Sequence, residues 1–181
     1  MKRFQTIDGP FANEDGIQLQ ELARGGVVLE IGSWKGKSTV ALAETAIKVY
    51  ACDPHTKIDR HEPGDALVSL DEWKENTEGY NNIVLLLGTS EEMVPSFEDG
   101  FFDLIWIDAC HDYLAVKRDI ELSLSKLKKG GIMVFHDWMW SYDTDGGPTK
   151  ALEEAFNNGI VFKNRREFPM EFKDGLVWKV I

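Results

Sequence analysis

Short, continuous apolar runs alternate along the chain with longer amphipathic stretches. Val27-Val28-Leu29-Glu30-Ile31 is closed by Gly32, Val49-Tyr50-Ala51-Cys52 by Asp53-Pro54, Ile83 to Leu87 by Gly88, Phe102 to Ile107 by Asp108, and Ile132 to Phe135 by His136-Asp137. Runs of this length, bounded by Gly, Pro or Asp, predict buried strands. Between them the period changes. Glu14 to Ala23 predicts a helix stopping at Gly25-Gly26, and Gly36 to about Ala46 predicts an Ala-rich one. Leu67, Leu70 and Trp73 share a helical face. Tyr113, Val116, Ile120, Leu124 and Leu127 recur at helical spacing and predict an amphipathic helix capped by Gly130-Gly131. Gly146-Gly147-Pro148 opens a last helix to about Asn158, and strands near Val161 and Val177 close the chain.

The predicted order is one helix, five β-α units, then two strands. Continuous apolar strands alternating with helices mean an α/β fold: a parallel sheet covered on both faces. No repeat, low-complexity tract or linker divides it, so residues 1–181 read as one domain, with 1–26 as a helical segment packed on the core. Ligands of such sheets bind at the C-terminal strand ends. Four of those five ends carry a carboxylate: Glu30, Asp53, Asp108 and Asp137.

Composition narrows the choice of ligand. Twenty Lys+Arg against 31 Asp+Glu give a net charge of -11. Such a chain has no general electrostatic attraction for nucleic acid or anionic membranes. No apolar run approaches the roughly 18 residues of a membrane span, and Met1 to Thr6 turns polar too soon for a signal peptide. Cys52 and Cys110 lack metal-type spacing and fit free thiols in a reducing cytoplasm.

The turn after the first strand, Glu30-Ile31-Gly32-Ser33-Trp34-Lys35-Gly36-Lys37-Ser38-Thr39, suits three ligand types. A nucleoside triphosphate needs four residues between Gly and Gly-Lys-Ser; here there are three, although Asp108 would imitate a magnesium-binding acid. A dinucleotide needs Gly-x-Gly-x-x-Gly, which Trp34 and Lys37 break, although Asp53 stands at the distance of a ribose-binding acid. S-adenosylmethionine carries a sulfonium and an amino group but no phosphate, so an acidic loop suits it better. Glu30 precedes the turn, Gly32 and Gly36 permit close backbone approach, and Asp53 can accept the ribose hydroxyls.

Val28 to Thr39 resembles motif I of class I S-adenosylmethionine-dependent methyltransferases, and Asp53 matches their acid after the second strand. Ile107-Asp108-Ala109-Cys110-His111-Asp112-Tyr113, Gly130-Gly131 and Phe135-His136-Asp137 resemble a subfamily with macrocin O-methyltransferase-like and cephalosporin-hydroxylase-like members. The resemblance runs from about Ile7 to Phe156. It implies a Rossmann-like seven-stranded sheet, order 3-2-1-4-5-7-6, with strand 7 antiparallel and helices on both faces. It implies a cofactor site at Glu30, Gly32, Ser33, Gly36, Ser38 and Asp53, with Thr89 and Ser90 beside the adenine. It also implies a divalent metal, often Mg2+, on Asp108, His136 and Asp137; His136 departs from the usual acidic residue there.

Chemistry supports the same residues. Asp108 and Asp137 end strands expected to be neighbours, about 4.8 Å apart, so their carboxylates can meet on one ion or be ordinary buried strand-end acids. His111 follows Asp108 closely and has the pKa range of a general base for a hydroxyl acceptor; its plainer role is to cap the next helix or pair with Asp112. Trp34, Trp138, Trp140 and Tyr142 are candidate walls of an acceptor pocket, and His55–Asp65 and Trp138–Gly147 are candidate lids. Lys126, Lys128 and Lys129 read as solvated surface, as do Arg165 and Arg166.

The expectation is a cytoplasmic S-adenosylmethionine-dependent O-methyltransferase, with or without metal assistance, acting on a small hydroxylated metabolite or sugar. A homo-oligomer in which a second copy completes the acceptor pocket is compatible with so short a chain. Two alternatives stand beside it: a nucleotide-binding hydrolase with a degenerate phosphate loop, and a non-catalytic S-adenosylmethionine-binding protein of the same fold.

Overall fold

The computed structural model describes residues 2–9, 11–55, 69–137, 147–156 and 177–181; for 69 and 177–180 the backbone alone is considered. Six strands, β1 (Val27–Ile31), β2 (Lys48–Asp53), β3 (Ile83–Leu87), β4 (Phe102–Ile107), β5 (Leu127–Phe135) and β6 (Val177–Val180), form one sheet ordered β3-β2-β1-β4-β5-β6. The first five are parallel and β6 runs antiparallel to β5. The chain thus has the α/β, doubly wound sheet that its sequence predicts, with its last strand antiparallel beside the fifth. The strand expected near Val161 lies outside the described residues. So do Leu67, Arg165, Arg166, Trp138, Trp140, Tyr142 and most of both expected lids.

Strand alternation sorts the side chains onto two faces. Val28, Leu104, Trp106 and Val134 join one core with Leu19 and Ala23 of α1 (Asn13–Ala23) and Val40 of α2 (Lys37–Ala43). Leu29, Ile31, Ile105, Ile107, Met133 and Phe135 join the other, with Val116 and Ile120 of α5 (Tyr113–Ser123) and Leu152 of α6 (Gly147–Phe156). Two short helices, α3 (Ser69–Thr77) and α4 (Ser90–Met93), flank the β2–β3 half. The same parity fixes where polar residues go. Glu30 must face α2, and His136, two residues beyond Val134, must face α1.

The helix read through Leu127 is shorter than its apolar spacing predicts. α5 ends at Ser123, a 3-10 turn spans Leu124–Lys126, and β5 begins at Leu127. Leu127 pairs with Phe102, whereas Ile132 pairs with Leu104, so β5 carries extra residues against β4. Gly130, at φ +82°, absorbs them. Gly130-Gly131 is therefore a bulge within the strand and not a helix cap.

The N-terminal segment is built into the first core. Phe4 is fully buried, and its ring occupies the space beside Gly16, where a Cβ would come within 2.3 Å of it. The Arg3 guanidinium donates to the carbonyls of Glu78 at 2.6 Å and Glu75 at 3.2 Å, beside the end of α3. No disulfide joins the two cysteines; Cys52 is buried and Cys110 exposed. Among the described residues no helix is long and apolar enough to cross a membrane.

Candidate active site

Parallel register brings the strand ends level. Gly32 N–H donates to Cys52 O (2.9 Å), Asp108 N–H to Ile31 O (2.9 Å) and His136 N–H to Ile107 O (3.2 Å). Gly32, Asp53, Asp108 and His136 consequently form one row along the C-terminal edge of the sheet. Three residues other than glycine adopt positive φ among the described residues, and all follow strands at this edge: Trp34 (+39°), His55 (+46°) and Asp137 (+47°).

The turn after β1 is held by Asp53. One oxygen, Oδ2, accepts the Ser33 and Trp34 N–H groups, both at 2.9 Å, and Oδ1 accepts the His55 N–H at 2.8 Å. A phosphate loop needs such amides for phosphate; here a carboxylate already holds them, and its charge would repel an anion. The geometry therefore speaks against the nucleotide reading. Gly32 and Gly36, at φ +89° and +86°, make the turn possible. The room their missing side chains leave is filled from within the chain, by the Asp108–Ala109 backbone at Gly32 and by the Trp73 and Thr77 side chains at Gly36. The Trp34 side chain lies over Gly9, with the Lys35 ammonium 4.8 Å from its ring centre.

Glu30 is fully buried and faces α2, where the hydroxyls of Ser38 (2.6 Å) and Thr39 (2.5 Å) donate to its two oxygens. Burial pushes its pKa up to about 8, against those two hydrogen bonds and with the help of the Asp108 and Asp53 charges. Ser38 and Glu30 are thus brought together as a pair that ties β1 to α2. Ser33 Oγ, beside them in the turn, is buried without a hydrogen-bond partner among the described residues.

After β3, Thr89 caps α4 in a capping box, its N–H and hydroxyl both meeting Glu92 Oε2 at 2.9 and 3.2 Å. Ser90 Oγ donates to Asp119 of α5 at 2.5 Å. Burial pushes the Asp119 carboxyl up to about 6 despite that bond.

At the other half of the edge, ligand atoms of Asp108, His111 and Asp137 lie within 4.8 Å of one another. His111 Nε2 is 3.8 Å from Asp108 Oδ1 and 3.6 Å from Asp137 Oδ2. His136 stands beneath them, its Nδ1 3.4 Å from Asp108 Oδ1 and 3.1 Å from Asp137 Oδ2. A shallow cleft lined in part by Ile107, Asp108, His111, Val116, His136 and Pro148 opens here. Burial disfavours a charged His136, but Asp108 and Asp137 overcome it and raise its pKa well above the ordinary value. Burial likewise opposes ionisation of Asp108, yet the His136 charge and hydrogen bonding from His111 and His136 hold its carboxyl well below the usual range. The three ligand atoms that converge belong to Asp108, His111 and Asp137, with His136 beneath them against both carboxylates. Asp137 Oδ1 is buried with no hydrogen-bond partner among the described residues. Two hard carboxylates and an imidazole with an unused oxygen fit a small divalent cation.

Asp15 of α1 belongs to this cluster and is absent from the sequence-derived set. It is 3% exposed, with Oδ2 3.9 Å from His136 Nε2. The signal available was its period: Asp15 precedes Leu19 by four residues and Ala23 by eight, on the buried helical face.

Comparison with known proteins agrees with this architecture. A family model described as a methyltransferase domain matches residues 29–138, from β1 to the site's last carboxylate and one residue beyond. The protein-L-isoaspartate O-methyltransferases of Ignicoccus hospitalis and Petrotoga mobilis are 31% and 36% identical over 130 residues, which is 72% of this chain. The match covers 56% and 54% of those proteins, so the chain spans about half the length of the curated relatives it matches. Among solved structures, a cofactor-bound protein from MTB superposes with a TM-score of 0.69 at 20% identity, over 98% of this chain and 84% of that one. An O-methyltransferase from Bacillus cereus in complex with S-adenosylhomocysteine gives 0.62 at 18%, over 84% and 71%. At these identities the structures share the fold. With the sheet order, the turn after β1 and the family match in agreement, the chain belongs to the methyltransferase-domain family, of the class I S-adenosylmethionine-dependent type.

Proposed function

We propose that this protein transfers the methyl group of S-adenosylmethionine to a hydroxyl oxygen of a small acceptor, with the reaction centre at Asp108, His111 and Asp137. The observation that carries the reading is the convergence of those three side chains within 4.8 Å, one strand away from the Gly32 turn. The curated relatives are O-methyltransferases of isoaspartyl protein, and the Bacillus cereus neighbour carries S-adenosylhomocysteine; both support the donor and the oxygen acceptor. A small metabolite or sugar is the acceptor class we favour.

S-adenosylmethionine, when bound, supplies an electrophilic methyl on a sulfonium. The chain's part is to bind, orient and take a proton. Asp53 holds the turn through three backbone N–H groups and keeps a lone-pair site on Oδ1 for a ribose hydroxyl. Ser33 Oγ is placed to meet a polar atom of the cofactor. The acidic edge favours a cation at the sulfonium position. His111 would take the acceptor hydroxyl's proton at Nδ1, the nitrogen that does not face the two carboxylates. Asp108 and Asp137 orient His111 and stabilise the imidazolium. Much of the acceleration then comes from alignment and exclusion of water.

A divalent ion such as Mg2+ would be held by Asp108, Asp137 and His111, and would supply Lewis acidity that lowers the acceptor hydroxyl's pKa. In that form His111 is a ligand instead of the base. Titration with S-adenosylhomocysteine in a calorimeter tests the donor: micromolar binding is expected, and a folded sample that does not bind overturns the reading. S-adenosylhomocysteine release across hydroxylated acceptors, with Mg2+ or a chelator, then separates the metal-assisted and metal-free forms.

A further inference from the structure

A carboxylate costs several kcal/mol to bury unless its charge is met. Asp15 is 3% exposed, on the face of α1 that carries Leu19 and Ala23 into the core. Its Oδ2 meets the Nε2 edge of the His136 ring at 3.9 Å, while the Nδ1 edge of that ring meets Asp108 and Asp137 at 3.4 and 3.1 Å. The ring also packs against two aromatic side chains, with centroids 5.5 Å from Phe11 and 5.7 Å from Trp106, which lie 5.8 Å from each other, so the three rings form one cluster. Phe11 and Asp15 both come from the N-terminal segment, which precedes the matched methyltransferase region beginning at residue 29. Asp137 holds a positive φ of 47°, a backbone state that persists in a residue other than glycine only where its surroundings enforce it.

We propose that Asp15 is a positioning residue: from the N-terminal helix it anchors the Nε2 edge of His136, so that Nδ1 stays against both Asp108 and Asp137 and keeps their carboxylates converged. An imidazole held at one nitrogen can turn about its Cβ–Cγ bond. With a carboxylate facing each nitrogen and the Phe11–Trp106 cluster beside the ring, that turn is resisted. The N-terminal segment thereby completes the site from behind the sheet. This inference rests on reading Asp108, His111 and Asp137 as the reaction centre, but its test does not depend on turnover.

The test uses the full chain with 15N-labelled histidine, as wild type, Asp15→Asn and Asp15→Ala, with His136→Gln to assign the ring. The ring protons of His136 sense the ring currents of Phe11 and Trp106, so their shifts report its placement. In Asp15→Asn the His136 ring resonances are expected to move while those of His55 stay, with S-adenosylhomocysteine affinity unchanged. His136 resonances that coincide in the two proteins overturn the proposal. If Asp15→Ala does not fold, the isosteric Asp15→Asn still decides. In the wild type alone, an Nε2 proton on His136 that exchanges with water as fast as that of a free ring also overturns it. Absence of S-adenosylhomocysteine binding in the wild type sinks the functional reading and leaves the histidine result standing.

Discussion

A Cβ added to Gly32 would stand 2.1 Å from the carbonyl oxygen of Asp108, so the turn after β1 and the strand end that carries a carboxylate of the proposed reaction centre are in backbone contact. Neither can shift without the other. Gly32→Ala forces that contact apart and places alanine at φ +89°. Overpacking and left-handed strain together predict a loss of about 3 kcal/mol. Urea unfolding measures it. A variant as stable as the wild type would show that the Asp108–Ala109 backbone yields freely.

Asp53 accepts three backbone N–H groups around the turn. Asp53→Ala removes those bonds and the proposed ribose acceptor together. Hydrogen bonds to a charged group contribute about 1.5–3 kcal/mol, so S-adenosylhomocysteine affinity is expected to fall at least about tenfold. Calorimetry reads this directly, and unchanged affinity would remove Asp53 from the cofactor site.

Glu30 makes stability depend on pH. Its folded pKa of about 8 lies above the ordinary 4.5, so between those values the folded state keeps a proton that the unfolded chain has released. Stability contributed by this group is full below about pH 4.5 and declines as pH rises towards 8. Glu30→Gln keeps the shape and removes the titration. The stability difference between variant and wild type should therefore grow in the variant's favour from pH 5 to pH 8. Denaturant midpoints across that range check it, and a difference independent of pH would contradict it.

His111→Ala is expected to lower turnover about 10²–10⁴-fold, the usual range for a lost general base, with S-adenosylhomocysteine affinity little changed. Single-turnover kinetics beside calorimetry separate the two. Unaffected turnover would mean that another group takes the proton.

Asp137→Asn tests the metal. It weakens the donor set at the carboxylate whose second oxygen has no hydrogen-bond partner among the described residues. Any stimulation by Mg2+ should disappear in this variant. Identical metal titrations of the two proteins would take Asp137 out of the donor set.

Most of the sheet is legible in the sequence because Gly, Asp and His interrupt continuous apolar runs at the points where strands end. For the same reason Asp53, Asp108 and Asp137 stand out before any coordinates. The end of α5 is not legible. Leu124 and Leu127 fit a helical period, and a 3-10 turn followed by a Gly130 bulge keeps them apolar without continuing the helix. The partners of Asp53 are backbone amides, which carry no residue identity to read. Asp15 escapes because, beside Glu14 and Glu21 on a largely polar helix, it looks solvated, whereas it lies on the buried face with Leu19 and Ala23.

The three residues other than glycine with positive φ among the described residues, Trp34, His55 and Asp137, all sit just past strand ends on the C-terminal edge of the sheet. A backbone state of this kind costs about 1–3 kcal/mol each. Any effort to raise the melting temperature by relieving uncomfortable backbone would select these positions first and install glycine. Each such change would trade heat resistance against the aim of a side chain, so for this protein the easiest thermal gains and the geometry of the proposed site compete for the same stretch of the sheet's edge.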